Sequence, residues 1–413
     1  MNENTNEMTN LDRRRFVAGG LSLLGGASLL PGHAFARLRP ASSGASDEGA
    51  DKTLVLIQLS GGNDGLSTVV PYGDDAYGAN RRRTLVPTAE LHKLDGYRGL
   101  HPNLAKLARI HDEGGLAIVE GIGYPGPVRS HFKSLDVWHA ASLKGRAARE
   151  GWVGKVCRTA WSEGAPPELV VHVGGKVPYS LHSIEHPAVA FEIPESYRWL
   201  GEGTEAETFR RGRDAGEKTS VLDRLRGVLR DAQESSTRVR AAARAYRTDI
   251  EYPQTPFGRG LRVIAGLIEA REGTRVFSID LGGFDTHNNQ KASHDGLMTT
   301  VDDALNAFLR DLRGREAGDR TLVMMFSEFG RRVAENGSGG TDHGKAAPMF
   351  LAGTPVQGGL YGKHPSMTDL DGGDLAYTTD FRSVYATAIE DWFGIPHREI
   401  LGETFERIPC LRT

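Results

Sequence analysis

The chain has 413 residues and a formal net charge of −3. General nucleic-acid binders are usually strongly basic, so this charge balance excludes that class of partner. The length exceeds what one small core needs, and it fits one large α/β domain with an insertion, or two domains. Beyond the N-terminal segment, no run is apolar and long enough to predict a stable membrane span.

The first 36 residues have the pattern of a signal peptide. Three arginines at 13–15 precede the apolar run 16–30, and Ala34-Phe35-Ala36 is a small-x-small cleavage pattern. The paired arginines indicate the twin-arginine route. A retained membrane anchor is the less favoured alternative, because the run is short and rich in glycine. We expect a periplasmic or secreted protein that begins near Arg37, with residues 37–51 as a disordered leader.

The sequence contains two cysteines, Cys157 and Cys410. In the oxidising space that an exported protein reaches, they could form a disulfide bond. Two separate buried thiols are an equally favoured interpretation.

The first half of the mature chain begins with a strand pattern. The apolar run 53–59, bounded by two glycines, predicts a strand buried on both faces. Residues 71–99 have turn signals and predict a long loop. A helix over 102–111 and a strand over 116–119 follow, and this β-loop-α-β order predicts a parallel pair with a crossover.

Residues 195–260 change character and are rich in Arg and Glu. We interpret this segment as a helical insertion that covers part of the core, with its main helix ending near Tyr246. Strand–helix alternation then resumes, with strands at 275–281, 321–326 and 347–351 and a closing helix at 380–393. The alternation predicts an α/β fold.

Four short polar motifs lie at the ends of predicted strands, at 61–65, 282–287, 327–331 and 340–344. The crevice of an open α/β sheet lies at the carboxyl ends of its strands. Six potential ligands could therefore converge there: Asp64, Asp285, His287, Glu328, Asp342 and His343. Carboxylate and imidazole groups of this kind suit divalent metal ions, with zinc or another transition metal as the expected cofactor.

Two of these motifs offer a carboxylate together with an imidazole. Asp285 and His287 would point to the same side of an extended segment and could meet one ion, although such residues after a strand ordinarily form turns or caps. Asp342 and His343 lie between glycines, which allow the sharp bend that would bring both side chains to a site. A surface turn is the alternative.

The other two motifs offer one carboxylate each. Glu328 could be a ligand, or it could form a structural ion pair with Arg331 or Arg332. Asp64 could be a ligand or a turn residue, and Asn63 could share its role.

Ser130 and His131 precede apolar positions with helical spacing. Ser130 would lie near a helix N-terminus, where free N–H groups and the helix dipole favour an anion. Ser130 could be a nucleophile activated by a metal or a neighbouring base, or simply a helix N-cap. His131 could be a metal ligand or an acid/base.

Taken together, these motifs resemble the exported bacterial family catalogued as domain of unknown function 1501. The resemblance extends over nearly all of the mature chain and rests on the segments 61–72, 100–104, 130–132, 282–287, 327–331 and 340–344. That family is similar to the alkaline phosphatase superfamily of phosphatases, sulfatases and phosphoglycerate mutases. The resemblance implies a mainly parallel sheet between helices, with a two-metal site at one edge.

The resemblance also implies roles for individual residues. Asp64 or a near neighbour would bind one metal, and Ser130 would be the nucleophile. Asp285 and His287 would bind the other metal, and His343 would complete the set.

The chain departs from the superfamily pattern at one position. An Asp-His pair usually follows a late strand there, whereas this chain has Glu328-Phe329. Glu328 can replace the carboxylate, but Phe329 cannot replace the imidazole, and two-metal catalysis depends on both ions. His131 could supply the missing imidazole from another position.

The sequence leaves two main functions open. The first is an exported metal-dependent hydrolase of phosphate or sulfate esters, with a small anionic ester as substrate. The second is a non-catalytic exported protein that keeps the fold, with or without one metal, and binds an exported protein partner. A cofactor-independent serine hydrolase is less favoured, because no Gly-x-Ser-x-Gly elbow is present.

Overall fold

The computed structural model describes residues 52–145, 149–161, 165–198 and 221–412. The predicted signal peptide and leader, and residues 199–220 of the predicted insertion, lie outside these ranges. None of the helices in these ranges has the length and apolarity to cross a bilayer.

The described ranges contain short and long strands in the following order. They are β1 (Thr53–Leu59), β2 (Val69–Val70), β3 (His92–Lys93), β4 (Gly99–Leu100), β5 (Leu116–Gly123), β6 (Val170–Val173), β7 (Val189–Phe191), β8 (Val276–Leu281), β9 (Thr321–Phe326), β10 (Ala347–Ala352), β11 (Gly359–Tyr361), β12 (Leu370–Asp371), β13 (Asp374–Leu375) and β14 (Thr379–Asp380).

The α-helices alternate with these strands. They are α1 (Gly65–Thr68), α2 (Asp75–Asn80), α3 (Ala105–Asp112), α4 (His131–Ala140), α5 (Trp152–Ala160), α6 (Val221–Ala245), α7 (Pro256–Ala270), α8 (Gln290–Arg313), α9 (Phe381–Ala386) and α10 (His397–Leu401). A π-helical segment, Thr387–Trp392, continues α9.

The central sheet is mostly parallel. Its order is β11-β5-β10-β9-β1-β8-β6-β7, with β14 also paired to β5. Strand β10 is antiparallel to both of its neighbours, and the other pairings are parallel. Eight strands of this sheet therefore run in one direction and β10 runs in the other, which confirms the predicted mainly parallel sheet.

The predicted pairing of the first two long strands is wrong. Strands β1 and β5 run in the same direction, but β9 and β10 lie between them. Both intervening strands are apolar runs from late in the chain, and their burial at the sheet centre outweighs adjacency in sequence. The predicted loop over 71–99 also contains α2 and β3. Strand β4 lies between β2 and β3 in a small three-stranded sheet.

Alternate residues of each central strand face opposite sides of the sheet. In β1, Val55 and Ile57 join a cluster with helices α3, α6, α7 and α8. Leu54 and Leu56 face the other way and join a cluster with α4, α5, α9 and α10. Two helical layers thus enclose the sheet, which is the predicted α/β class.

The two cysteines and the end of helix α6 were also predicted from the sequence. Cys157 and Cys410 are free, buried thiols, so the alternative of two separate cysteines applies to this structure. Helix α6 ends at Ala245, one residue before the expected end, and it packs against α7. The boundaries of the 195–260 insertion stay a prediction.

Candidate metal centre

The topology brings three polar motifs to one edge of the sheet. Residues 282–287 and 327–331 follow the carboxyl ends of β8 and β9, which run parallel to β1. Strand β10 runs the opposite way, so the 340–344 turn before it reaches the same edge. The loop after β5 leads to the N-terminus of α4, which adds Ser130 and His131.

Three histidine side chains direct their Nε2 atoms at one carboxylate oxygen, Oδ1 of Asp285. The distance to this oxygen is 3.0 Å from His287, 3.0 Å from His343 and 3.6 Å from His131. The Nε2 atoms of His287 and His343 are themselves 3.0 Å apart. One ligand atom each from His131, Asp285 and His343 lies within 4.8 Å of the other two.

Each of these imidazoles is held through its other ring nitrogen. The Nδ1 atoms contact ionised carboxylates or a main-chain carbonyl, whose oxygens accept hydrogen bonds but cannot donate them. Nδ1 therefore carries the proton, and Nε2 presents a lone pair. The three contacts are His131–Glu328 Oε1 at 2.7 Å, His287–Asp342 Oδ1 at 3.1 Å and His343–Arg129 O at 3.1 Å.

This donor set fits a divalent metal ion. Metal-binding histidines almost always donate their second ring N–H to a carboxylate or carbonyl oxygen, as all three do here. Two lone pairs that face each other at 3.0 Å repel unless a cation lies between them. The Nε2 atom of His131 is buried and accepts no hydrogen bond from the described residues. Three imidazoles and one carboxylate suit zinc or another transition metal.

The charges of the centre favour cation binding. Burial acts to raise the pKa of Asp285, but the hydrogen bond and positive charge of Arg331 lower it to about 2. Asp285 is therefore ionised at neutral pH. The hydrogen bond to Glu328 raises the pKa of His131, so a cation would compete with a proton at that ring.

Arg331 positions Asp285 from within the protein. Its side chain is almost fully buried, and Nη2 donates to Oδ1 of Asp285 at 2.7 Å. The same guanidinium donates to main-chain carbonyls at positions 61, 62, 284 and 341. Sequence reasoning considered Arg331 as a partner of Glu328. Arg331 instead contacts the carboxylate of Asp285, which belongs to the loop after β8 and lies 46 positions earlier in the sequence.

Glu328 and Phe329 surround His131. The buried Glu328 carboxylate also accepts from the main-chain N–H of Gly61 at 2.9 Å, so it supports an imidazole in this structure. The Phe329 ring lies 4.8 Å from the ring centroids of both His131 and His343. Phe329 thus forms an apolar wall, and His131 contributes an imidazole to the cluster.

Asp64 lies in a separate buried network. Its carboxylate receives hydrogen bonds from Arg81 at 2.5 and 3.2 Å and from Gln290. Burial raises the pKa of Asp64, but Arg81 brings it far below its usual range. Gln290 accepts from Thr286 at 3.1 Å and Thr341 at 2.5 Å, which ties the two ligand loops together. The structure does not bring Asp64 to the three histidines, and its role as a ligand stays a prediction.

Ser130 is the N-cap residue of α4, but its hydroxyl makes no capping hydrogen bond. It is partly exposed and lies between two residues of the centre. Arg129 on one side binds His343 through its carbonyl, and His131 is on the other. The hydroxyl thus has no capping role at the helix end. Its role as a nucleophile stays a prediction.

The chain matches a family model over residues 120–407, and that family is described as "Protein of unknown function (DUF1501)". No curated protein matches the chain. Solved structures with some similarity over most of the chain include the lipoteichoic acid synthase LtaP from Listeria monocytogenes. The identity is 8% and the TM-score is 0.38, and the match covers 86% of this chain and 76% of that one. Another is the PsFucS1 sulfatase from Pseudoalteromonas sp., with 12% identity, a TM-score of 0.38, and coverage of 84% and 69%.

Proposed function

This chain belongs to the DUF1501 family, and we propose that it is a metal-dependent hydrolase of phosphate or sulfate esters. One observation carries the proposal. Three imidazole Nε2 atoms converge on Oδ1 of Asp285 while their Nδ1 atoms are held by oxygens of Glu328, Asp342 and Arg129. Such an arrangement is typical of ligands that are oriented before the metal binds.

In this proposal His131, His287, His343 and Asp285 hold the ion. A bound divalent metal supplies Lewis acidity that polarises an ester oxygen and favours ionisation of a nearby hydroxyl. The chain's own residues do the rest. Glu328 and Asp342 fix the tautomers of His131 and His287, and Arg331 keeps the carboxylate of Asp285 ionised.

Ser130 is our candidate for the attacking group. Its hydroxyl makes no capping bond and lies beside His131 in sequence. The free N–H groups in the first turn of α4 would hold the oxygens of the anionic ester, with help from the helix dipole. The substrate's anion and the nucleophile would then meet at the same helix end.

The export route belongs to the same proposal. The twin-arginine pattern and the cleavage pattern before Arg37 support delivery of the folded, metal-loaded protein to the periplasm or beyond. N-terminal sequencing of protein taken from its native host tests this. A mature N-terminus near Arg37 is expected, and an intact first segment on exported protein would contradict cleavage there.

Elemental analysis and an ester screen test the hydrolase. Mature protein from its own host should contain bound metal and hydrolyse at least one aryl phosphate or aryl sulfate. His287→Ala should lose metal, and Ser130→Ala should keep metal while losing most turnover. His111→Ala is the matched control, because His111 lies in the last turn of α3, which precedes the N-terminal end of β5. No turnover by metal-replete protein on any ester would contradict the proposal.

A second candidate function is supported by one surface feature. Phe132, on the first turn of α4, is 82% exposed, and nearby Val128 is 41% exposed. Exposed apolar groups beside a centre favour binding of another protein, which is the alternative of a non-catalytic exported binding protein. That alternative predicts no ester turnover, with or without one bound metal, and a Ser130→Ala variant with unchanged properties.

A further inference from the structure

A hairpin beside the centre holds three cationic side chains. The hairpin consists of β12 and β13, and its Asp374 is fully buried. Asp374 Oδ2 accepts from Nε of Arg129 at 2.8 Å, and Nε of Arg332 lies 3.4 Å from Oδ1. On the other strand, Asp371 Oδ2 lies 2.5 Å from Nζ of Lys345.

Each of these cations comes from a segment that also carries a residue of the centre. The carbonyl of Arg129 binds His343, and Lys345 follows His343 by two residues. The main-chain N–H of Arg332 donates to the carbonyl of Asp342 at 3.0 Å. The hairpin therefore places the cluster of Arg129, Arg332 and Lys345 beside the metal centre.

The tight turn of the hairpin allows this close approach. Gly372 and Gly373 both have positive φ, at 65° and 89°, as expected for a two-residue turn of this kind. A side chain at Gly373 would begin 2.8 Å from Nη2 of Arg332. That same Nη2 donates to the carbonyl of Gly372 at 2.6 Å. The glycines thus let a guanidinium lie directly against the turn.

The two arginines keep donors that the described residues do not use. Their side chains are 38% and 36% exposed, and Nη1 of neither Arg129 nor Arg332 donates to another described residue. Asp374 Oδ1 also accepts no hydrogen bond there. The three cations face the two hairpin carboxylates Asp371 and Asp374. Guanidinium groups suit phosphate and sulfate oxygens because their donors form a planar fork.

We propose that Arg129 and Arg332 form a second anion subsite, and that the natural substrate is an ester that carries another phosphate or sulfate group near the reacting one. This inference rests on the proposed function, which supplies the first anion position. The buried Asp374 holds both guanidiniums at the turn of the hairpin. The exposed Nη1 donors then bind the second group of the same molecule.

Binding calorimetry with the mature protein, with and without added zinc, tests the subsite. The probes are a monosulfated and a disulfated form of the same sugar. Wild-type protein should bind the disulfated sugar about tenfold or more tightly than the monosulfated one, because the second group adds charged hydrogen bonds. Arg332→Gln and Arg129→Gln should each reduce this preference to about twofold or less. Arg109→Gln should keep it, since Arg109 lies on α3 and is 81% exposed.

The outcomes separate this inference from the hydrolase proposal. Equal affinity of the two sugars for wild-type protein overturns the subsite, whatever the ester screen shows. So does a full preference in both arginine variants. A preference that depends on the arginines, in a protein that hydrolyses no ester, supports the anion subsite and contradicts the hydrolase alone.

Discussion

Nδ1 of His131 and Oε1 of Glu328 are 2.7 Å apart, although 197 residues separate them in sequence. Glu328 is held in turn by the N–H of Gly61 and the hydroxyl of Ser327. The carboxylate is thus fixed in place, and it decides which ring nitrogen of His131 faces Asp285. The charge of Glu328 therefore acts on the centre through the imidazole of His131.

Glu328→Gln should weaken metal binding without abolishing it. The substitution keeps the shape of the side chain but removes the charge that holds the Nδ1 proton of His131. Loss of such a supporting partner typically lowers metal affinity about 10- to 100-fold. Competition with a chromophoric chelator measures the affinity. Glu316→Gln is the control, because Glu316 is 84% exposed and pairs with Arg271. Unchanged affinity in Glu328→Gln would show that this contact does not support the ligand.

Asp64→Asn should reduce stability and leave the metal content of the folded protein unchanged. Asp64 and Arg81 are both fully buried in their side chains, so the substitution leaves a buried guanidinium without its counter-charge. Breaking such a pair costs about 3–5 kcal/mol of unfolding free energy. Urea unfolding and elemental analysis of the same preparation measure the two effects. Loss of metal from protein of normal stability would instead support the ligand role that the sequence predicted.

The sheet and the location of the centre were predictable because both depend on local patterns. The apolar runs at β1, β8 and β9 predict buried strands, and the polar motifs after them share one edge of the sheet. The partners of individual side chains were not predictable. Asp64 meets Arg81 because the short helix α2 returns the chain to it, and no periodicity in the sequence indicates that contact.

Acidification should destabilise the fold through buried His172. Burial lowers the pKa of His172 to about 4, whereas an unfolded histidine titrates near 6.5. Between these values the unfolded chain binds a proton that the folded chain does not. The stability that depends on a neutral His172 is thus fully present above about pH 6.5, and it is lost as the pH falls toward 4. This difference in pKa corresponds to roughly 3.5 kcal/mol of unfolding free energy at most, at about 1.4 kcal/mol per pKa unit.

Unfolding free energies measured between pH 4 and pH 7 test this linkage. His172→Gln should show a smaller slope of stability against pH than the wild type over that window. His294, whose pKa burial also lowers to about 4, should leave a residual slope of the same sign. An unchanged slope in His172→Gln would exclude this histidine as a source of acid sensitivity.

Gly61→Ala should disturb the metal centre through the backbone. Gly61 has a φ of 121°, and a Cβ there would lie 2.5 Å from the main-chain nitrogen of Asp285. The same residue donates its N–H to Glu328, so the strain would reach both the ligand loop and its supporting carboxylate. We expect about 2 kcal/mol or more of lost stability and weaker metal binding. Gly282→Ala is the matched control, since a Cβ there meets nothing within 4 Å. If both variants bind metal equally well, the close approach of Gly61 to Asp285 does not set the geometry of the centre.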